Sequence, residues 1–167
     1  MRVELIEAYQ HILDVSALFE EYAASIDVDL NYQNFSGELS GLPGKYAKPD
    51  GGLYLALVDD FPAGCAAMRR LDSTRAEMKR LFVRPDYRNL HLGRMLAERI
   101  IQDAAAAEYR FLVLDTLSTM DRAKSLYRAL GFVEIAPYYS SPVAETTFLS
   151  LSLDPCRMIR ASGANGA

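Results

Sequence analysis

The sequence predicts a single α+β domain, in which about four helices flank a twisted, mixed and mostly antiparallel sheet of about seven strands. Two observations predict this fold class. Strand-like apolar runs and helical spacing follow each other in the order β α α β β β α β α β β, with no internal repeat. The chain has 167 residues, of which 50% are hydrophobic and 24% charged, and this suits one core that needs neither disulfides nor a structural metal.

The N-terminal half contains three predicted strands and two predicted helices. Residues 3–6 form a short apolar strand, and the apolar spacing over 12–22 indicates an amphipathic helix. A short helix is expected within 31–44, where it ends in a Gly-Leu-Pro-Gly turn. The apolar runs 53–58 and 63–70 flank an Asp-Asp-Phe-Pro segment, which predicts a hairpin.

The C-terminal half continues the alternation. Its predicted elements are a strand over 75–83, a helix over 92–107, a strand over 111–114, a helix over 120–130 and strands over 132–136 and 146–153. Pro85 prevents the first of these strands from continuing, and Gly131 is suited to end the second helix. We therefore predict one domain over residues 1–155. The tail 156–167, which ends in small and polar residues, is expected to stay flexible outside the fold.

Composition excludes several functional classes. A net charge of −4 and a pI near 5.2 argue against a nucleic-acid partner, because such proteins usually present a basic face. No apolar stretch is long enough for a membrane span, so we expect no membrane partner and a cytoplasmic location. Cys65 and Cys156 have neither disulfide-framework nor metal-ligand spacing, and we interpret both as reduced thiols.

The segment after the strand at 75–83 has the features of a phosphate site. Residues 88–94 open a long helix, whose first N–H groups lack intrahelical partners and lie at the positive end of the helix dipole. Gly93 allows a ligand to approach the backbone, and Arg84, Arg88 and Arg94 supply positive charge. The alternative is that Gly93 permits tight helix contacts and the arginines form a solvated face.

The same segment resembles the Q/R-x-x-G-x-G/A signature of the GNAT superfamily of acetyl-CoA-dependent N-acyltransferases. The residues that carry the resemblance are Arg88 to Gly93 with Arg94, the Val83-Arg84-Pro85 turn before them, and Ala123, Leu126-Tyr127 and Gly131-Phe132 of the next motif. It extends over nearly the whole chain, and it implies a GNAT-like fold in which two strands splay apart to admit pantetheine. It also implies acetyl-CoA as cosubstrate and no metal. The cofactor-binding residues would be Leu81, Phe82, Val83, Arg88, Asn89, Leu90, His91, Leu92, Gly93 and Arg94.

Two residues depart from the family pattern. His91 stands where the family usually has glycine, and histidine tolerates a positive φ better than a branched residue does. Met120 stands where the family often has asparagine, and its thioether cannot supply the hydrogen bonds of an amide.

The resemblance also assigns catalytic roles. Glu77 would be the general base, with a pKa raised by burial, although a strand-face ion pair with Lys79 or Arg80 is the alternative. Tyr127 would protonate the leaving thiolate, unless it is simply a core tyrosine. A backbone N–H near Leu81 to Val83 would face the developing oxyanion, which predicts direct transfer in a ternary complex rather than through a cysteine.

The acceptor is the least determined part of the function. We expect the primary amine of a small molecule. The alternatives are a protein or peptide amine as acceptor, or a CoA-binding module without catalytic activity. A homodimer is possible from the sequence and is left open. Tyr138 and Tyr139 either shape the acceptor pocket or cover the sheet end, and the segment 31–46 is the other candidate wall. Asp115 ends a strand where it either faces the cleft or caps a turn.

Overall fold

The computed structural model describes residues 1–26 and 29–153, and within them a sheet of seven strands and four α-helices. The strands are β1 (Val3–Glu7), β2 (Gly52–Val58), β3 (Phe61–Arg70), β4 (Arg75–Val83), β5 (Phe111–Thr116), β6 (Val133–Ile135) and β7 (Thr147–Ser152). The helices are α1 (Ile12–Ser25), α2 (Phe35–Ser40), α3 (Leu92–Ala106) and α4 (Asp121–Ala129). Short 3₁₀ turns span Leu30–Gln33, Gly44–Tyr46 and Pro85–Leu90. The predicted tail and Cys156 lie outside the described residues.

The sheet confirms the predicted fold class. Its strand order is β1-β2-β3-β4-β5-β7-β6, and each neighbouring pair is antiparallel except β4 and β5, which are parallel. In this parallel pair, residues 75–77 of β4 pair with residues 111–113 of β5, and the pairing stops before either strand ends. The two strands therefore separate towards their carboxyl ends, as the resemblance implied.

Two hydrophobic cores lie on opposite faces of the sheet. Strand β2 is buried on both faces, so its side chains alternate between the two cores. Leu53 and Leu55 pack with α1 in the first core, whereas Tyr54 and Ala56 pack with α3 in the second. A fully buried leucine stabilises the fold by roughly 1.5–3 kcal/mol relative to its exposed state. The two cores therefore fix α1 and α3, whose ends form the walls described below.

Strand β4 contains a bulge that the sequence did not predict. Cys65 on β3 is opposite Phe82, but Ala67 is opposite Lys79, so β4 has one extra residue over this stretch. Arg80 adopts the left-handed region with φ of 61°. Because the bulge interrupts the alternation of the strand, Lys79 and Arg80 both contact residues on the side of α1 and α2.

A buried ion pair holds this bulge. The Arg80 side chain donates to both carboxylate oxygens of Glu38, at 2.9 and 3.2 Å, and both side chains are almost completely buried. The Tyr46 hydroxyl donates to Glu38 at 2.7 Å, and the Cys65 thiol donates to the Arg80 carbonyl at 3.3 Å. A left-handed non-glycine residue costs about 1–2 kcal/mol, which these contacts offset. Burial alone would raise the pKa of Glu38, but its bonds to Arg80 lower it.

We expect Glu38→Gln to lower the free energy of unfolding by about 3 kcal/mol, because it leaves the Arg80 charge buried without a counter-charge. The matched control is Asp50→Asn, which breaks an exposed pair with Arg70 at 3.1 Å and should cost about 1 kcal/mol or less. Urea denaturation measures both values. Equal losses in the two variants would contradict a special role for the buried pair.

The effect of Glu38→Gln should also depend on pH. The folded-state pKa of Glu38 lies below its ordinary value, so the carboxylate contributes stability that is fully present above about pH 4.3 and lost as the pH falls through the folded-state pKa. The stability difference between wild type and variant should therefore narrow below about pH 4. Denaturation curves measured at a series of acidic pH values test this. If the stability difference between wild type and Glu38→Gln does not change with pH, the ion pair is not the cause of that difference.

Candidate active site

A cavity of about 980 Å³ opens where β4 and β5 separate. Its walls come from the second half of β4, the first residues of α3 and α4, the end of β5 and the C-terminal part of α1. A further wall comes from the 3₁₀ turn Leu30–Gln33 and from Val143 and Ala144. The separated strands therefore form a cleft with the start of α3 on one side and the start of α4 on the other.

The start of α3 has the geometry that an anion site requires. His91 adopts φ of 59° and ψ of 25°, so the positive φ considered from the sequence does occur. No side chain caps this helix, and its hydrogen-bond ladder begins with the Met95 N–H donating to the His91 carbonyl at 3.2 Å. The preceding three N–H groups have no partner within the helix. They are available to a ligand at the positive end of the helix dipole.

The three arginines of this segment do not act alike. Arg88 and Arg94 line the cavity, and Arg122 joins them from α4. Arg84 donates to both carboxylate oxygens of Glu21, at 2.8 and 2.9 Å, and to the Pro62 carbonyl at 2.7 Å. The inference from the sequence that Arg84 adds charge to the phosphate site is therefore wrong, since its guanidinium is bound to α1.

Seven of the ten residues expected to bind the cofactor line the cavity: Leu81, Phe82, Val83, Arg88, His91, Gly93 and Arg94. The other three do not. The Leu92 side chain is completely buried in the core beneath α3, Leu90 packs against the same core, and Asn89 is exposed outside the cavity. The contribution of these three residues to ligand binding stays a prediction.

Tyr127 lies on the α4 wall of the cavity. Its side chain is 6% exposed, and its ring packs against Phe132 with 5.6 Å between the ring centres. In the described part of the chain, the hydroxyl has no hydrogen-bond partner, so it is available to a ligand. Burial raises the pKa of Tyr127, which keeps the phenol protonated at neutral pH.

Glu77 lies outside the cavity, among positively charged and tyrosine side chains. It is 1% exposed, accepts hydrogen bonds from Arg69 at 2.8 Å and Tyr138 at 2.5 Å, and lies 3.8 Å from the Lys79 ammonium. Burial alone would raise the pKa of Glu77, but Lys79, Tyr138 and Arg69 together lower it. This shift is opposite to the one expected from burial, and the role of Glu77 as general base stays a prediction.

Asp115 is the carboxylate that β5 contributes to the cavity. It accepts a hydrogen bond from the Tyr139 hydroxyl. Tyr138, Tyr139 and Phe148 form a three-ring cluster with ring centres 5.0–5.6 Å apart. Neither tyrosine lines the cavity, so their position corresponds to the alternative in which they cover the sheet end, with hydroxyls that orient two carboxylates.

The segment 31–46 contributes to the wall in part. Tyr32 and Gln33 line the cavity, whereas Tyr46 is completely buried and Phe35 packs over the Arg80 guanidinium at 5.2 Å. Met120 also lines the cavity, and its sulfur accepts a hydrogen bond from the Thr116 hydroxyl at 3.4 Å. Sequence reasoning missed Tyr22, Lys79 and Arg122 as wall residues, because each reaches the cavity through contacts between distant segments.

Two further results concern other kinds of site. Within residues 1–26 and 29–153, no group of three or more histidine, cysteine, aspartate or glutamate side chains could hold a metal ion. In the same part of the chain, none of the helices combines the length and apolar character of a membrane span.

Comparison with known proteins identifies the family. The profile of the acetyltransferase (GNAT) family matches residues 12–132, well over half of the chain. An uncharacterised N-acetyltransferase of Dictyostelium discoideum is 34% identical over 215 residues, covering 92% of this chain and 100% of that protein. An acetyltransferase from Streptococcus agalactiae has a solved structure with a TM-score of 0.74 and 25% identity, over 90% of this chain and 98% of that one. A Salmonella typhimurium acetyltransferase, solved with acetyl-CoA, matches with a TM-score of 0.65 and 20% identity, over 92% and 95% of the two chains.

The chain belongs to the GNAT family of acetyltransferases. It is an acetyl-CoA-dependent acyltransferase, and the resemblance found in the sequence is thereby confirmed. The separated strands, the uncapped start of α3 and the wall carrying Tyr127 all border the cavity that suits this cosubstrate.

Gly93 provides a test of the cofactor site. A Cβ added there would meet only Leu126 and Val83, at 3.7 and 3.9 Å, so Gly93→Ala should fold normally. It should nevertheless weaken binding of CoA by about tenfold, and Gly93→Val by more, because each side chain occupies the space over the helix start. Isothermal titration calorimetry measures both affinities.

The matched control is Gly52→Ala, whose Cβ would also meet nothing closer than 3.5 Å but lies outside the cavity. This variant should bind CoA with wild-type affinity. Wild-type affinity in both Gly93 variants would show that the ligand does not approach this backbone.

Proposed function

We propose that the protein transfers an acetyl group from acetyl-CoA to a primary amine of a small molecule by direct attack in a ternary complex. The observation that carries this proposal is the position of the β4 bulge, which borders the same cavity as Tyr127 where β4 leaves β5. A bulge interrupts ladder hydrogen bonding and so frees a backbone N–H near Leu81 for the acetyl carbonyl oxygen. The amine nitrogen would attack the carbonyl carbon as the bond to sulfur breaks.

Tyr127 is the proposed proton donor to the departing sulfur. Its raised pKa keeps the proton on the phenol until a thiolate forms beside it, and its hydroxyl has no competing partner among the described residues. The phenolate would then regain a proton from solvent. This arrangement needs no covalent intermediate, and the fully buried Cys65 lies outside the cavity.

Two carboxylates are candidates for taking the amine proton. Asp115 lines the cavity, and its described partner is the neutral Tyr139 hydroxyl. Glu77, the residue assigned from the resemblance, contacts Arg69, Lys79 and Tyr138. Of these three neighbours, Lys79 is the one that lines the cavity. We therefore propose Asp115 as the base and Glu77 as the residue that positions Lys79.

Three separate segments line the end of the cavity at which the acceptor would bind. The end of α1 contributes Tyr22 and Ile26, the next 3₁₀ turn contributes Tyr32, and the segment before β7 contributes Val143. Walls from three separate segments favour a small molecule over an extended peptide lying across an open groove.

The test is a panel of primary amines incubated with acetyl-CoA, with release of free CoA measured by a thiol reagent and acetylated product measured by mass spectrometry. Tyr127→Phe should lower kcat by about 10²-fold while leaving CoA affinity unchanged. Tyr109→Phe is the matched control, because its hydroxyl donates to the Asp50 carbonyl at 2.8 Å outside the cavity. Unchanged kcat in Tyr127→Phe would exclude the proton-donor role.

The same assay separates the two carboxylates. Asp115→Asn should lower kcat/KM by about 10²-fold, chiefly through kcat, because it removes the carboxylate that would accept the amine proton. Glu77→Gln should act chiefly on KM. The opposite result, with the loss of kcat confined to Glu77→Gln, would return the role of base to Glu77.

A further inference from the structure

The acceptor end of the cavity is the part between the β4 bulge and Asp115 at the end of β5, and its cations are not equally neutralised by direct ion pairs. The β4 bulge places Lys79 and Arg80 together on this side, and Glu38 fully engages Arg80. Lys79 must share Glu77 with Arg69, so two cations face one carboxylate. Arg69 is the nearer of the two, at 2.8 Å against 3.8 Å for Lys79.

Lys79 is the under-neutralised member of this group. Its side chain is 9% exposed and lines the cavity, and its other described contact is the neutral Gln33 amide oxygen at 3.2 Å. Burial lowers the pKa of Lys79 although Glu77 acts in the opposite direction. A buried ammonium with incomplete neutralisation is costly, so an anionic group in the cavity would be stabilised there.

The acceptor end also offers a negative group to the amine. Asp115 lines the same cavity from the neighbouring strand, and its charge acts on the Lys79 ammonium. A molecule with an amine and a carboxylate close together can satisfy both side chains. The end of α1 and the 3₁₀ turn after it also contribute Tyr22, Ile26 and Leu30 to the wall, and these suit an apolar side chain.

We infer that the acceptor is a free amino acid with an apolar side chain, whose carboxylate pairs with Lys79 while its amine lies at Asp115. This inference rests on the proposed function and narrows its substrate class. A cationic polyamine has no partner for Lys79. A peptide N-terminus presents an amide where the free amino acid has its carboxylate, and it therefore loses the ion pair.

Matched acceptors test the inference directly. L-Phenylalanine, L-leucine and L-methionine are each compared with their own amide, which has the same side chain and amine but no negative charge. We expect kcat/KM to be at least about tenfold higher for each acid than for its amide, chiefly through KM. The amide's amine is less basic, so more of it is in the reactive neutral form, and the comparison is biased against this result.

Lys79→Met should then lower kcat/KM for the acids by about tenfold or more, leave the amides within about twofold, and leave the KM for acetyl-CoA unchanged. Lys79→Arg should restore part of the preference. The control is Lys45→Met, since Lys45 also lies 3.8 Å from a buried carboxylate, Glu38, but is half exposed and outside the cavity. Thermal unfolding and CoA binding report whether each variant is folded.

The outcomes distinguish the two proposals. Equal kcat/KM for acids and amides, or an equal loss for both in Lys79→Met, overturns the inference but leaves acetyl transfer intact. Release of CoA by none of the panel amines overturns the proposed function. In that case, isothermal titration calorimetry on the CoA complex tests acceptor recognition without turnover. N-acetyl-L-phenylalanine should bind more tightly than its amide. Equal binding of the two compounds overturns the inference.

Discussion

The separation of β4 from β5 is the constraint on which the site depends. The two strands are paired over only three residues of each, and beyond this point the cavity occupies the gap between them. Neighbouring strands that separate leave backbone N–H and C=O groups unpaired, which is costly in a protein interior unless a ligand or other groups satisfy them. A cosubstrate with its own amides and carbonyl can supply these partners. We therefore propose that the cosubstrate completes this gap in the sheet.

The β4 bulge determines what faces this gap. One extra residue shifts the alternation of the strand, so that two consecutive cations, Lys79 and Arg80, face the α1 and α2 side. Both residues line the cavity, but Arg80 is paired with Glu38, whereas Lys79 shares Glu77 with Arg69. One backbone irregularity therefore accounts for both the proposed oxyanion donor and the proposed acceptor specificity.

The parts of the structure that depend on local sequence were predictable. Strand and helix periods indicated all seven strands and four helices, and the segment 88–94 indicated the start of α3, which the structure leaves without a side-chain cap. Phosphate binding there stays a prediction. What could not be predicted depends on distant contacts. Arg84 is bound by Glu21, which is 63 residues away, and Glu38 meets Arg80 across 42 residues. The bulge had no glycine to indicate it, because an arginine occupies its left-handed position.

The two carboxylates near the acceptor end show why residue type alone could not assign the base. Glu77 and Asp115 are both hydrogen-bonded by a tyrosine, but Glu77 also has two cationic neighbours, which stabilise its charge and make it a weaker proton acceptor. Glu77 is hardly exposed, whereas Asp115 borders the cavity. A base must reach the proton that it removes before its pKa matters. The geometry therefore favours a division in which Glu77 fixes the cation that orients the acceptor and Asp115 receives the proton.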